Sequence, residues 1–247
     1  MKWRVIPLEI HDAATAMALD EAASEAVRLG GPPTIRFYRW LPSAVSIGYF
    51  QSMEAEVNLD ACRRLGVDQV RRRTGGGTVY HDHDGEITYS VIAPESFFGK
   101  DIIASYNLIC GWIVEAFSQL GICAEFKPIN DIVTQGKKIS GNAQTRRNKV
   151  LLQHGTILYD LDVKRMFSVL RVSEEKISDK MIAAVEDRVT CVRKVSNATR
   201  DETYQALCEA FTKDKDFYEG EWTEKELAYT KELAKTKYST RDWNFQR

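Results

Sequence analysis

Three arginines followed by three glycines stand in the segment Arg71-Arg72-Arg73-Thr74-Gly75-Gly76-Gly77-Thr78-Val79-Tyr80-His81-Asp82. Glycine gives up more backbone freedom on folding than any other residue, so a run of three has to serve the folded state. A backbone without side chains can approach a ligand closely and turn several N–H groups to one side, a geometry that binds phosphate. An arginine beside it offers a planar fork of donors to phosphate or carboxylate. The same residues also read as a flexible hairpin carrying solvated arginines. The pattern is neither GxxxxGK followed by Ser or Thr nor GxGxxG, so neither a P-loop nor a Rossmann site is implied.

A second group is Asn130-Asp131 followed by Gly136-Lys137-Lys138-Ile139-Ser140-Gly141-Asn142-Ala143. A lysine among small residues on a hairpin can place one ammonium on both an acyl carbonyl oxygen and an α-phosphate, where negative charge develops during acyl activation and transfer. Asp131 offers an oxygen to Mg²⁺, and Asn130 a hydrogen bond to a base or phosphate. Taken alone, GKK in a turn is more often a solvated tip and Asn-Asp a common turn pair. A third group is Gln153-His154-Gly155-Thr156, in which a lone strand histidine reads more readily as structural than as catalytic. The His81-Asp82-His83-Asp84 run reads as an exposed polar turn, and no structural metal is expected there.

Around these groups the chain alternates helical and extended patterns. Asp12 to Leu29 reads as a capped helix stopped by Gly30-Gly31-Pro32-Pro33. Extended runs are expected at Thr34–Trp40, Ala44–Phe50 and Val67–Arg72, with a helix from Met53 to Leu65. Thr78–His81 and Glu86–Ile92 read as a strand pair, the second with Ile87, Tyr89 and Val91 on one buried face. A long helix is expected from Asp101 to Leu120, with Ile102, Ile109, Ile113, Phe117 and Leu120 at helical spacing. Strands follow at Ile122–Lys127, Ile132–Gln135, Lys138–Thr145 and Val150–Tyr159, with a turn at Arg146–Lys149. Helical patterns return at Val163–Leu170, Asp201–Phe211 and Thr223–Tyr238, and Arg188–Arg200 reads as a long surface connection. Strands clustered in the middle with helices at both ends predict an α+β fold with a largely antiparallel sheet.

The 247 residues suit one well-buried domain spanning 1–247. A net charge of −1 gives no reason to expect nucleic acid or an anionic membrane as partner. No stretch has the apolar length of a signal-peptide core or a membrane span. Five cysteines (Cys62, Cys110, Cys123, Cys191, Cys208), widely spaced and without CxxC, fit a reducing cytoplasm, each read singly as a small buried hydrophobe.

With these groups in order, the chain resembles the lipoate–protein ligase/octanoyltransferase/biotin ligase superfamily over nearly its whole length. The resemblance is carried by Met17-Ala18-Leu19-Asp20-Glu21-Ala22, Ile47-Gly48-Tyr49-Phe50-Gln51, the Arg71–Asp82 block, Asn130-Asp131, Gly136–Arg146 and Leu151–Leu158. It implies a fold like that of class II aminoacyl-tRNA synthetases and biotin synthetase, a mostly antiparallel mixed sheet flanked by helices. It implies a lipoate–protein ligase using ATP and Mg²⁺: lipoate or octanoate becomes acyl-AMP, and a lysine of a lipoyl-domain protein then attacks. The implied acceptors are the E2 component of 2-oxoacid dehydrogenases or the glycine-cleavage H protein. Carried onto these residues, Arg72 would contact the acyl adenylate, and Gly75, Gly76 and Gly77 would line its path. His81 and His154 would lie along the lipoyl pocket, and Asn130 and Asp131 would serve the nucleotide side, Asp131 as a Mg²⁺ ligand. Lys138 would bridge carbonyl and phosphate as the catalytic residue, with Ala143 and Thr156 on the adenylate.

The sequence ends at Arg247 without the small accessory domain that bacterial single-chain ligases carry, which raises the expectation of a separately encoded small subunit. Two alternatives stand beside the ligase. One is an octanoyltransferase taking octanoyl from a carrier protein without ATP. The other is an adenylate-binding subunit active only in a complex. The cysteine-dependent transferase needs a reactive thiolate near the lysine. Cys123, the nearest cysteine upstream, falls at the expected start of a strand and reads as structural.

Overall fold

The computed structural model describes residues 1–171 and 179–247. In chain order its elements are β1 (Trp3–His11), α1 (Ala13–Arg28), β2 (Thr34–Trp40), β3 (Ala44–Ile47), α2 (Met53–Glu56) and α3 (Leu59–Leu65). Next come β4 (Asp68–Arg71), β5 (Val79–His81), β6 (Glu86–Pro94), α4 (Ile102–Gln119), β7 (Ala124–Lys127), β8 (Asp131–Thr134), β9 (Lys137–Arg147) and β10 (Val150–Leu158). The chain finishes through α5 (Val163–Val169), α6 (Asp179–Glu186), α7 (Val192–Val195), α8 (Arg200–Thr212), β11 (Phe217–Glu219), α9 (Glu224–Leu233) and α10 (Arg241–Asn244).

The expected α+β class is observed. One eight-stranded sheet has the order β11-β1-β2-β6-β10-β9-β8-β7, and a three-stranded sheet has the order β4-β3-β5. β1 pairs parallel with β2 and β11, and the rest of the large sheet is antiparallel. β9 and β10 form a hairpin in which Asn148 (φ 53°) and Lys149 (φ 63°) both turn left-handed. That is the twist a two-residue hairpin loop requires.

Helices cover both faces of the large sheet. On one face α4 and α8 deliver Ile109, Ile113, Phe117, Leu207 and Phe211 onto Phe37, Tyr89 and Val91. Ile109, Ile113 and Phe117 belong to the helical repeat read from the sequence, and Leu120 packs beside them, whereas Ile102, read as part of the same repeat, is exposed. On the other face, α1 lays Ala23 and Val27 on Ile92 and Leu152. Further along, Ala16, Met17 and Ala18 meet Tyr38, Leu233 and Tyr238.

This double cover corrects one expectation. β6 is buried on both faces over Glu86–Ala93 rather than on one, because α1 lies where alternation suggested solvent. The expected Met53–Leu65 helix is two helices: Val57 leaves helical geometry to bridge Leu170, and Asn58 caps the second by accepting from Ala61 N. The run from Ala44 ends as a strand at Ile47, since Gly48 N turns to Gln51 Oε1. The expected surface connection at Arg188–Arg200 is partly core, with Cys191 and Val192 buried and Val189 bridging Lys138. β1 and β11 were missed, being a strand pair that only long-range pairing reveals. Among the described residues no helix is long and apolar enough to cross a membrane.

Candidate active site

A cavity of about 320 Å³ opens between the glycine segment and strands β9 and β10. Arg72, Gly76, Gly77, His81, Asn130, Lys138, Ala143, His154 and Thr156 all line it. Gly75 and Asp131 stand just behind the lining, touching Arg72 and Lys138 respectively. Eleven residues scattered from 72 to 156 in the sequence therefore meet at one place. Trp40, Tyr80, Leu158, Leu161, Met166 and Leu170 supply apolar wall.

Lys138 owes its direction to an irregularity in the sheet. β8 pairs with β9 as Asp131↔Gly141 and Ile132↔Ser140, then shifts to Val133↔Lys138, leaving Ile139 as an extra residue. A bulge of this kind re-aims the side chains on its far side. Strict alternation would set Lys138 and Gly141 on opposite faces. With the bulge, the Lys138 ammonium lies over Gly141, where a Cβ would stand 2.8 Å from Nζ. Nζ is 2.6 Å from Asp131 Oδ1, and both side chains remain more than a third exposed. Gly141 thus makes room for the ammonium, a role the sequence reading did not assign.

The glycine segment is shaped from within by Arg72. Its Nε donates to Thr74 Oγ1 (3.1 Å), and its Nη1 donates to Ser46 Oγ (3.1 Å) and Ser46 O (3.2 Å). Its Nη2 donates to the carbonyls of Gly75 (2.8 Å) and Gly77 (2.7 Å). The guanidinium lines the cavity, yet its donors all reach protein acceptors. Burial lowers its pKa to about 10. A peptide plane with its carbonyl toward Arg72 sends the following N–H the opposite way. Among the described residues, no protein acceptor takes the N–H of Gly75, Gly76 or Gly77. Gly76 adopts φ 92°, and a Cβ on Gly48 would overlap the Gly76 carbonyl, so the two backbones touch. A Cβ at Gly75 or Gly77 would meet open space.

Both cavity histidines are held by a buried carboxylate on one side and a hydroxyl on the other. His154 Nδ1 lies 2.9 Å from Asp20 Oδ2, and its Nε2 lies 2.7 Å from Thr74 Oγ1. His81 Nδ1 lies 2.8 Å from Glu86 Oε1, and its Nε2 lies 2.8 Å from Ser46 Oγ. Carboxylates only accept, which assigns a proton to Nδ1 in each ring, and in the neutral ring Nε2 then accepts from the hydroxyl. Burial lowers the His154 pKa, outweighing the hydrogen bond and charge of Asp20. For Asp20, burial acts upward, but the His154 hydrogen bond and the Arg36 charge hold the carboxyl below its usual range. Arg36 Nη1 is 3.0 Å from Asp20 Oδ1. The His81 ring also stacks on Trp40 at 4.1 Å. The sequence reading missed Asp20, Ser46, Thr74 and Glu86. Asp20 and Thr74 do fall inside quoted motifs, but nothing in a linear string pairs them with a histidine 134 or 80 positions away.

Asn130 is tied to the same strand: its Nδ2 donates to Asn142 O, while Asn142 N and Nδ2 donate to Asn130 O. Asn142 Oδ1 in turn accepts from Tyr89 OH at 2.7 Å, in space that only a glycine at 155 leaves free. Arg71 points elsewhere, donating to carbonyls of Gly48, Tyr49, Gln51, Trp243 and Asn244. The His81–Asp84 run, expected as an exposed turn, is so only in part: His81 ends β5 and is buried, while Asp84 is exposed in a turn where Asp82 Oδ1 accepts from Asp84 N and Gly85 N. Among the described residues, no three His, Cys, Asp or Glu side chains cluster as a metal site. Cys62, Cys110 and Cys191 are buried as expected, Cys208 is half-buried, and Cys123 is exposed rather than buried. None of the five lines the cavity.

This arrangement has counterparts among known proteins. Octanoyltransferase LipM of Brevibacillus brevis is 35% identical, the match covering 100% of this chain and 99% of that one. The structure described as a bipartite lipoate protein ligase and its E2 lipoyl domain from Thermoplasma acidophilum superposes with a TM-score of 0.91 at 35% identity, over 99% of this chain and 96% of that one. A lipoate-protein ligase A bound with ATP superposes with a TM-score of 0.86 at 32% identity, over 99% of each chain. The sequence relatives thus bear the name of the transferase, the reading set second above, and the structural neighbours bear that of the ligase. The family described as the lipoyl protein ligase A/B catalytic domain matches residues 12–212, and the chain belongs to that family of enzymes, with the class II synthetase-like fold of the lipoate ligases.

Proposed function

We propose that this chain passes an octanoyl- or lipoyl-class acyl group to a lysine of a lipoyl-domain protein, after activating the free acid with ATP as its adenylate. The observation that carries this reading is the chemistry of the cavity wall: an ammonium and a glycine backbone whose N–H groups meet no protein acceptor among the described residues, apolar side chains, and no thiol. A covalent thioester on the enzyme needs an accessible thiolate at the reacting carbon. Here burial raises the Cys62 thiol to about 11 and the Cys110 thiol to about 12, and Cys123 precedes edge strand β7, outside the lining. An acid anhydride with AMP needs no such group.

In this reading the acyl chain runs along the wall of Trp40, Tyr80 and Leu158, flanked by His81 and His154. Lys138 bridges the acyl carbonyl oxygen and the α-phosphate, meeting charge that grows in both steps. Gly75, Gly76 and Gly77 line the anhydride's path, Asn130 and Asp131 serve the nucleotide, and Ala143 and Thr156 contact the adenylate. The acceptor lysine attacks the carbonyl carbon and AMP departs. Asp131 fits a Mg²⁺ that takes most of its ligands from phosphate and water, since such ions need only one or two carboxylates. When bound, the ion would neutralise phosphate charge.

The transferase stays as the second reading because the names of the sequence relatives favour it over the ligase. It would take octanoyl from a carrier-protein thioester without ATP. Intact-mass spectrometry of a lipoyl domain separates the two. The ligase reading expects a mass gain only with ATP, Mg²⁺ and octanoate or lipoate, abolished by Lys138→Ala and retained by Cys123→Ala. Transfer from octanoyl carrier protein without ATP, lost in Cys123→Ala, would overturn it. If ATP and acid give no pyrophosphate while synthetic acyl-AMP supports transfer, a separate activating subunit is required.

A further inference from the structure

Two buried carboxylate–imidazole–hydroxyl chains end on one guanidinium. Asp20, His154 and Thr74 reach Arg72 Nε, while Glu86, His81 and Ser46 reach Arg72 Nη1. Each chain starts on a different element, α1 and β6, and crosses a different part of the fold before meeting at Arg72. The hydrogen bonds have one consistent polarity: each imidazole donates to its carboxylate and accepts from its hydroxyl, which leaves the hydroxyl oxygen free to accept from Arg72. Nη2 is thereby left to hold the carbonyls of Gly75 and Gly77. The peptide planes of those two carbonyls carry the N–H groups of Gly76 and Thr78, which point away from the guanidinium.

We infer that Asp20, Thr74, Ser46 and Glu86 are positioning residues that act through His154, His81 and Arg72 to fix the glycine backbone, so that the peptide amides, and not the guanidinium, meet the charge on the reacting group. The inference rests on the acyl-transfer reading above but on neither of its routes, because an oxyanion forms at the acyl carbon in both. Both hydroxyls sit at the junction between imidazole and arginine, where removal of one oxygen cuts a chain without opening a large cavity. Thr74 is fully buried and Ser46 nearly so, which keeps water from replacing the lost bond.

The test uses the full chain with Thr74→Val, Thr74→Ser, Ser46→Ala and the double variant Thr74→Val/Ser46→Ala, followed by acyl transfer to a lipoyl domain and by heat unfolding. Each hydroxyl deletion should lower kcat about tenfold to a hundredfold with KM for the acyl donor within about twofold, and Thr74→Ser should restore most of it. The double variant should lose less than the product of the single losses, since both chains act on one group. A strictly multiplicative loss, a failure of Thr74→Ser to rescue, or losses that follow melting temperature alone would overturn the inference. Nitrogen-15 NMR of the imidazoles reads the same arrangement without activity: both rings should carry the proton on Nδ1, and Thr74→Val should shift His154 alone. Protonation on Nε2 would overturn the inference even in an inactive preparation. A wild type that modifies no lipoyl domain with any donor, while the NMR holds, would instead sink the acyl-transfer reading.

Discussion

Removing a carboxylate from water as completely as Asp20 has been is costly unless hydrogen bonds replace the lost hydration. His154 and Arg36 supply them, and the arrangement has a consequence for stability. The folded-state pKa of His154 lies below its ordinary 6.5. As pH falls through about 6.5, the unfolded chain takes up a proton that the folded chain refuses, so stability declines. Asp20, also lowered, acts in the same direction nearer its ordinary 3.8. Urea unfolding between pH 7 and pH 5 should show a falling midpoint, with a smaller slope in His154→Gln. An equal slope in both proteins would count against the His154 assignment. At the same scale, Gly141→Ala should leave melting nearly unchanged, because the atom its Cβ meets is the mobile end of Lys138. Acyl transfer should fall by roughly a hundredfold, since about 1 Å of misplacement at a reacting centre costs that much. Gly155→Ala should instead destabilise, by roughly 1–3 kcal/mol in chemical denaturation, because its Cβ meets the packed Asn142 and Tyr89.

Among the elements, β9 does most to form the site, and its irregularity matters as much as its residues. The bulge at Ile139 sends Ile139 into the core with Ile132 while Lys138 faces the cavity. β10 then brings His154 and Thr156 opposite Ala143 and Gly141, so one hairpin holds both walls in register. The short helix α10 is fixed by a different device. Asn244 is buried, with Oδ1 accepting from Arg71 N (2.7 Å) and Nδ2 donating to Tyr238 O (2.8 Å) and Thr240 O (3.0 Å). Asn244→Ala leaves Arg71 N without its acceptor and should cost roughly 1–3 kcal/mol in chemical denaturation. A change below a few tenths of a kcal/mol would mean that the turn is held by other contacts.

Over the whole molecule, Arg71 and Arg72 are adjacent in sequence yet organise opposite sides of the same loop. Arg72 holds the glycines against the cavity, while Arg71 joins the Gly48–Gln51 turn to the carbonyls of Trp243 and Asn244. The C-terminal segment is thus coupled to the site across the small sheet, and Tyr238 OH and Lys237 Nζ add a second tie to Glu21 on α1. Deleting residues 240–247 should lower the melting temperature by several degrees and speed proteolysis, because the Arg71 guanidinium would lose buried acceptors. A deletion variant that melts with the parent would show that this coupling carries no stability.

The sequence by itself determined the fold class, most of the strands and long helices, and the short motifs whose order revealed the family. Those signals are local: period-two and helical spacing, glycine runs, and caps such as Asp12. It also named residues that line the cavity or stand just behind it, because glycine, lysine and histidine in those contexts have few other uses, but it did not name the apolar wall. Only the tertiary structure decided what each does there. The direction of Lys138 depends on one extra residue in a ladder, the roles of Asp20 and Ser46 on contacts 16 to 134 positions distant, and the burial of β6 on a helix packed across it. That none of five cysteines reaches the cavity is likewise a fact of packing. Pairing across the sheet is set by the sum of many weak contacts, and no single stretch of sequence contains that sum.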